Sequence, residues 1–234
     1  MSRGMRSRWV TFDCYGTLVD WSSGLGDLLA PIAGEQASEV AAAFSGWQLE
    51  LEKQGPVGSH KQVLKSALLC AAGERGVRLT DADARTLTRS WSALRPFADV
   101  EAMLAALRAR GYRLGVLTNV DDDLFEITHR SFATPFNLFV TAERVRGYKP
   151  LPWHFRAFEL LTGVRRADWV HVAAGRYHDI EPAQSLGIKH VWLDRANGMA
   201  ATDVVDAVNR LMREPRYGVP RSSAYDTTAL VQPC

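Results

Sequence analysis

A chain of 234 residues and 25.9 kDa fits one large domain, or a core that carries a smaller insert. Its 28 Lys+Arg nearly balance 26 Asp+Glu, which gives no reason to expect nucleic acid or an anionic membrane as partner. No apolar run reaches the ~18–20 residues of a membrane span, and three scattered cysteines (Cys14, Cys70, Cys234) read as free thiols of a cytoplasmic protein.

In chain order, the basic stretch from Met1 to Arg8 leads straight into a strand rather than into the apolar core of a signal peptide. Trp9 to Asp13 is a short apolar run that delivers Asp13 to a loop at Gly16-Thr17. Residues 22–95 show no strand pattern. Amphipathic spacing predicts helices over Ala37–Lys53, Lys61–Glu74 and Thr80–Leu94, with an internal turn at Gly55-Pro56-Val57-Gly58. A helix over Val100–Arg110, stopped by Gly111, precedes a strand over Arg113–Thr118 that ends at Asn119. Asp121 to Asp123 then read as the start of a further helix. Strands over Phe136–Val140, Trp169–Ala173 and His190–Leu193 alternate with helices over Pro152–Leu161 and Ile180–Leu186. From Pro215 the chain is rich in Pro, Ser and Thr, as expected of a surface tail over 215–234. The alternation predicts an α/β fold whose parallel sheet is covered on both faces. Its core comprises 1–21 and 96–214, and 22–95 form an all-helical cap inserted between the first and second strands.

In such sheets the site lies beyond the carboxyl ends of the strands. Four polar segments fall there: Asp13-Cys-Tyr-Gly-Thr17, Thr118-Asn119, Gly147-Tyr-Lys149-Pro150, and Ala173 to Asp179. Singly, each has a plain reading: Asp13 as a turn cap, Lys149 as a solvated cation, Thr118-Asn119 as a helix cap. Their combination and order argue for a common site.

From Trp9 to about Arg195 the chain resembles the haloacid dehalogenase superfamily. Asp13 to Thr17, Thr118-Asn119, Lys149-Pro150 and Asp179 stand where its four motifs stand, and the helical insert stands where its cap does. The resemblance implies a Rossmann-like core with Asp13 as covalent nucleophile, Lys149 holding it ionised, and Asp179 positioning water. It implies substrate contacts from Tyr15, Thr118, Asn119 and His178. Asp-x-Tyr-Gly-Thr followed by Asp20-Trp21 is most similar to the L-2-haloacid dehalogenase branch.

Two substitutions support that branch. Superfamily phosphatases carry a second Asp two residues after the nucleophile as general acid, where this chain has Tyr15, a phenol that stays neutral near pH 7. They also hold Mg²⁺ through an acid in the fourth motif, where this chain has Ala174-Gly175. A departing halide needs neither acid nor metal. The expected activity is therefore cofactor- and metal-independent hydrolysis of a small 2-haloacid through an aspartyl ester. The alternatives are cleavage of another carbon–heteroatom bond, a degenerate binding protein, and, more weakly, a Mg²⁺-dependent phosphatase.

One departure stands out. The branch places an arginine on the first cap helices, and here that position aligns with Ser45, with no Arg between Arg8 and Arg75. Lys53, Lys61 and Lys65 read as solvated cations that cannot copy a guanidinium fork. Trp21 and Trp47 read as core packing. Cys14 is given no role, and Arg176, Tyr177 and His178 are either added chemistry or loop packing. The expected partner is a small organic acid, with neither nucleic acid nor membrane, and the apolar faces of the cap permit a homodimer.

Overall fold

The computed structural model describes residues 7–55 and 58–214. Trp9–Phe12 (β1) is buried along its whole length, as a central strand covered on both faces must be. Four helices follow: Trp21–Ala33 (α1), Ala37–Lys53 (α2), His60–Glu74 (α3) and Asp81–Arg89 (α4). They pack mainly on one another through α2. The first was not anticipated, because Gly24, Gly26 and Pro31 dilute its helical signal. Gly24 nonetheless lets α1 pack closely there, since a Cβ would lie 2.6 Å from the Leu94 side chain and force it to shift. The helix expected over Thr80–Leu94 is shorter than its periodicity implied. It opens with a capping box between Thr80 and Asp83, ends at Arg89, and gives way to a 3₁₀ turn that buries Trp91.

The remainder alternates as expected: Val100–Ala109 (α5), Arg113–Thr118 (β2), Asp122–His129 (α6), Leu138–Thr141 (β3), Ala142–Val145 (α7), Trp153–Thr162 (α8), Trp169–Ala173 (β4), Glu181–Ser185 (α9), Lys189–Trp192 (β5) and Ala201–Arg213 (α10). The third strand starts at Leu138 rather than Phe136, whose ring instead packs edge-on against Phe132. The helix expected over Ile180–Leu186 is split: a π turn spans Arg176–Ile180 before α9 begins. The amphipathic α10 was missed, and the tail expected over 215–234 lies outside the described residues.

All strand pairs are parallel, in the order β3-β2-β1-β4-β5. Strand alternation divides the core. Val10 and Phe12 point to the face covered by α5 and α10, among Met103, Leu104, Val204 and Val208. Trp9 points to the other face, where Phe158 of α8 meets it edge-on at 5.0 Å and lies 5.0 Å from Trp169. Burying each such ring contributes roughly 1.5–3 kcal/mol. Phe12, the last residue of β1, is in register with Val116 of β2 and Val172 of β4, so the three central strands end within two residues of one another. This alignment brings the loops after them together. Among the described residues no helix is long and apolar enough to cross a membrane.

Candidate active site

Asp13 leaves the sheet still bonded to it, its N–H donating to Val172 O at 3.1 Å. The chain then doubles back. Gly16 adopts φ +87°, a left-handed conformation that favours glycine, and Leu18 N–H donates to Cys14 O at 2.7 Å. The turn returns Thr17 to Asp13: its hydroxyl donates to Asp13 Oδ2 at 2.8 Å and accepts from Ala174 N–H at 2.9 Å.

Lys149 occupies the centre. Its Nζ donates to Asp13 Oδ1 at 2.8 Å, to Asp179 Oδ1 at 2.5 Å and to Leu117 O at 2.8 Å, using all three ammonium protons. Asn119 grips the backbone of the same residue, accepting from Lys149 N–H at 2.8 Å and donating to Lys149 O at 3.1 Å. Lys149 is linked to Pro150 by a cis peptide bond. Burial alone would push the Lys149 ammonium down, but the Asp13 and Asp179 carboxylates outweigh it and hold the group above the ordinary lysine range. Burial would likewise raise Asp179. The Lys149 charge and the His171 hydrogen bond outweigh it and hold the carboxyl well below the usual range.

Behind Asp179 a polar chain runs into the sheet. His171 Nε2 lies 3.1 Å from Asp179 Oδ1, and its Nδ1 lies 2.9 Å from Thr11 Oγ1, which accepts from Trp169 Nε1–H at 2.7 Å. An ionised carboxylate only accepts, and burial keeps the imidazole neutral. Nε2 therefore carries the proton, and the Thr11 hydroxyl donates to the bare Nδ1.

These groups open onto a cavity of about 370 Å³ between the strand ends and the inserted helices. Asp13, Tyr15, Thr118, Asn119, Lys149, His178 and Asp179 all line it, so every sequence-nominated position converges here. They differ in availability. The Tyr15 hydroxyl lies 2.8 Å from Thr128 Oγ1 and accepts from Trp91 Nε1–H at 2.9 Å, so it is already engaged within the protein. Trp21 packs against Tyr15 and Trp91 and also lines the wall. The Thr118 hydroxyl is buried without a hydrogen-bond partner.

The other candidates fall away from the site. Ser45 is exposed and off the cavity wall. Lys61 pairs with Asp123 at 2.5 Å, Lys65 with Asp81 at 2.8 Å and Lys53 with Glu50 at 3.8 Å. Arg176 stacks over Trp192 and Tyr177 is exposed. Trp47 is not core: it is 36% exposed and donates to Glu74. Cys14 is buried, which pushes its thiol up.

Among the wall residues that sequence reasoning missed, two are titratable, Glu52 of α2 and His60 of α3. Glu52 accepts from Gln48 Nε2 at 2.8 Å and from Asn119 Nδ2 at 3.3 Å, which ties α2 to the loop after β2. A signal was present. Val40 and Phe44 are the buried stripe of α2, and Gln48 and Glu52 continue it at the same i, i+4 spacing. His171, likewise unassigned, was an imidazole inside a fully buried strand.

The donor set does not suit Mg²⁺. Both carboxylates are bound to one ammonium, Asp13 Oδ2 is taken by Thr17, and Ala174 and Gly175 present no side-chain oxygen.

A family model described as haloacid dehalogenase-like hydrolase matches residues 8–187. The chain belongs to this family of hydrolases. It is 26% identical over 192 residues to haloacetate dehalogenase H-2 of Moraxella sp. (strain B), covering 80% of this chain and 85% of that one. It is 31% identical over 180 residues to a phosphoserine phosphatase of Thermus thermophilus, covering 75% and 68%. A crystal structure of an L-2-haloacid dehalogenase superposes with a TM-score of 0.78 at 22% identity, over 88% of this chain and 100% of that one, and shows the shared α/β fold.

Proposed function

We propose that this chain is a metal-independent 2-haloacid dehalogenase in which Asp13 is the nucleophile. The single observation that carries the reading is the Lys149 ammonium shared by Asp13 and Asp179. It orients one carboxylate for attack and fixes a second beside it. In the first step a carboxylate oxygen of Asp13 attacks the α-carbon in line, and the carbon–halogen bond breaks with its electron pair leaving as halide. In the second, water held at Asp179 attacks the carbonyl carbon of the Asp13 ester. Asp179 takes one proton of the water, the acyl–oxygen bond breaks, the departing alkoxide takes one of the water's two protons and leaves as the 2-hydroxy acid, and the other passes to solvent. The Thr118 hydroxyl and the cavity's imidazoles supply donors for the substrate carboxylate. Inserted helices α1 to α4 act as the cap that closes this cavity, and Cys14 and Cys70 as free thiols fit a reducing cytoplasm.

The phosphoserine phosphatase relative favours a second reading, phosphate monoester hydrolysis. It is the weaker one. Tyr15, with its hydroxyl engaged by Thr128 and Trp91, stands where the general acid would be needed, and the donor set does not suit the metal.

The test is one turnover in H₂¹⁸O with enzyme in excess over L- and D-2-chloropropionate. An aspartyl ester predicts unlabelled lactate, ¹⁸O in Asp13, and no halide release by Asp13→Asn. Label in lactate on the first turnover would exclude the ester. Chloride release by Asp13→Asn at the wild-type rate would remove the nucleophile.

A further inference from the structure

Taking the proposed function as given, an anionic substrate meets a wall of the wrong sign. The charged side chains lining the cavity are Asp13, Asp179, Lys149 and Glu52, and the one cation is already shared by two carboxylates. The lysines of the inserted helices are paired elsewhere, and Ser45 offers no charge. A carboxylate can enter only if a negative charge on the wall is removed.

We propose that Glu52 removes it: the cavity receives the substrate carboxylate against Glu52 as a neutral acid, and binding of the anion draws one proton onto this side chain. Three observations support the assignment. Glu52 is buried yet has no salt-bridging lysine or arginine, its oxygens accepting instead from the neutral amides of Gln48 and Asn119. Two imidazoles face it without hydrogen bonds, His60 Nδ1 at 3.9 Å from Oε1 and His178 Nε2 at 3.8 Å from Oε2. Together with the unpartnered Thr118 hydroxyl, these buried polar atoms share one wall and have no hydrogen-bond partner.

The charges around Glu52 agree with the geometry. Burial, aided by the Asp13 carboxylate and opposed by Gln48, Asn119 and Lys149, raises Glu52 to about 7. His60 is held down to about 3 by burial, and His178 is lowered by burial and by Lys149. Tyr148 also faces Glu52, and its hydroxyl is raised, first by burial and then by the Glu52 charge. Asp121, on the loop after β2, accepts from the N–H groups of His60 and Lys61.

The experiment is isothermal titration calorimetry with L- and D-lactate, the 2-hydroxy acids the reaction would release, at pH 8 in buffers of different ionisation heat. Halide release from 2-chloropropionate is run in parallel. Wild type is expected to take up close to one proton per lactate, and its affinity to fall about tenfold per pH unit above 7. Glu52→Gln is expected to bind with no uptake and an affinity flat from pH 6.5 to 8.5. Glu52→Asp should restore uptake. Binding by wild type without proton uptake, or uptake that persists in Glu52→Gln, overturns the inference. Wild type that releases halide with a pH-independent KM overturns Glu52 alone. Wild type that neither binds lactate nor releases halide overturns the proposed function as well.

Discussion

Asp121 caps a helix that begins sixty-one positions earlier in the chain at His60: its carboxylate accepts from His60 N–H at 2.8 Å and Lys61 N–H at 2.9 Å. Ser59, in the local N-cap position of α3, makes no such bond. The first turn of α3 is thus satisfied from the loop after β2, and His60 and Leu64 on the cavity wall are held by it. Asp121→Ala should cost about 1–2 kcal/mol and lower Tm by about 2–8 °C, with a rise in KM as α3 loosens. Thermal melts beside steady-state kinetics check this; an unchanged Tm would show the cap to be dispensable.

Lys149→Met removes the charge between two buried carboxylates while keeping most of the volume. One carboxylate must then take a proton or remain uncompensated, at an expected cost of about 3–5 kcal/mol. Turnover should fall by about 10²–10³-fold or more. Denaturant titration and halide assays at saturating substrate measure the two losses.

Glu52 titrates near 7 in the folded protein against about 4.3 in the unfolded chain. Between those values the unfolded state has lost a proton that the native state keeps, so stability falls as pH rises and levels off above about 7. Glu52→Gln should be as stable as wild type at pH 4 and more stable at pH 8, by up to about 4 kcal/mol. His60 and His154, held down to about 3 by burial, contribute an opposite slope below pH 6.5 to both proteins, so the difference between the two curves isolates Glu52. A difference that does not grow with pH would contradict the raised carboxyl.

Removal of metal should leave the reaction untouched. With Lys149 between the carboxylates and Ala174-Gly175 at the sheet edge, halide release after exhaustive EDTA treatment should equal that of untreated enzyme. Added Mg²⁺ should not create phosphatase activity on phosphoserine. Loss on chelation and recovery with Mg²⁺ would favour the phosphatase reading.

The sheet was readable because each core strand is an apolar run ended by a polar residue, and parallel strands place those ends together. That logic brought Asp13, Thr118, Asn119, Lys149 and Asp179 to one edge from spacing alone. What escaped depends on groups distant in the chain. Asp121 reads locally as the start of α6, and nothing in its neighbourhood announces that it serves α3. Glu52 looks like one more charge on an amphipathic helix until Asn119 meets it from sixty-seven positions away. Gly24 weakens the signal of α1 for a packing reason supplied by Leu94.

The donors behind Asp179 all point one way, from the Trp169 indole through the Thr11 hydroxyl and the His171 ring to the carboxylate. Such a row can polarise Asp179 but cannot drain it. To carry a proton inward, each group would have to reverse, and the last would have to strip an indole that has no acceptor role to offer. The interior of the sheet is therefore a dead end for protons. In the proposed reaction, whatever Asp179 takes from water must leave by the mouth through which the substrate came, so proton release and product escape share a single exit.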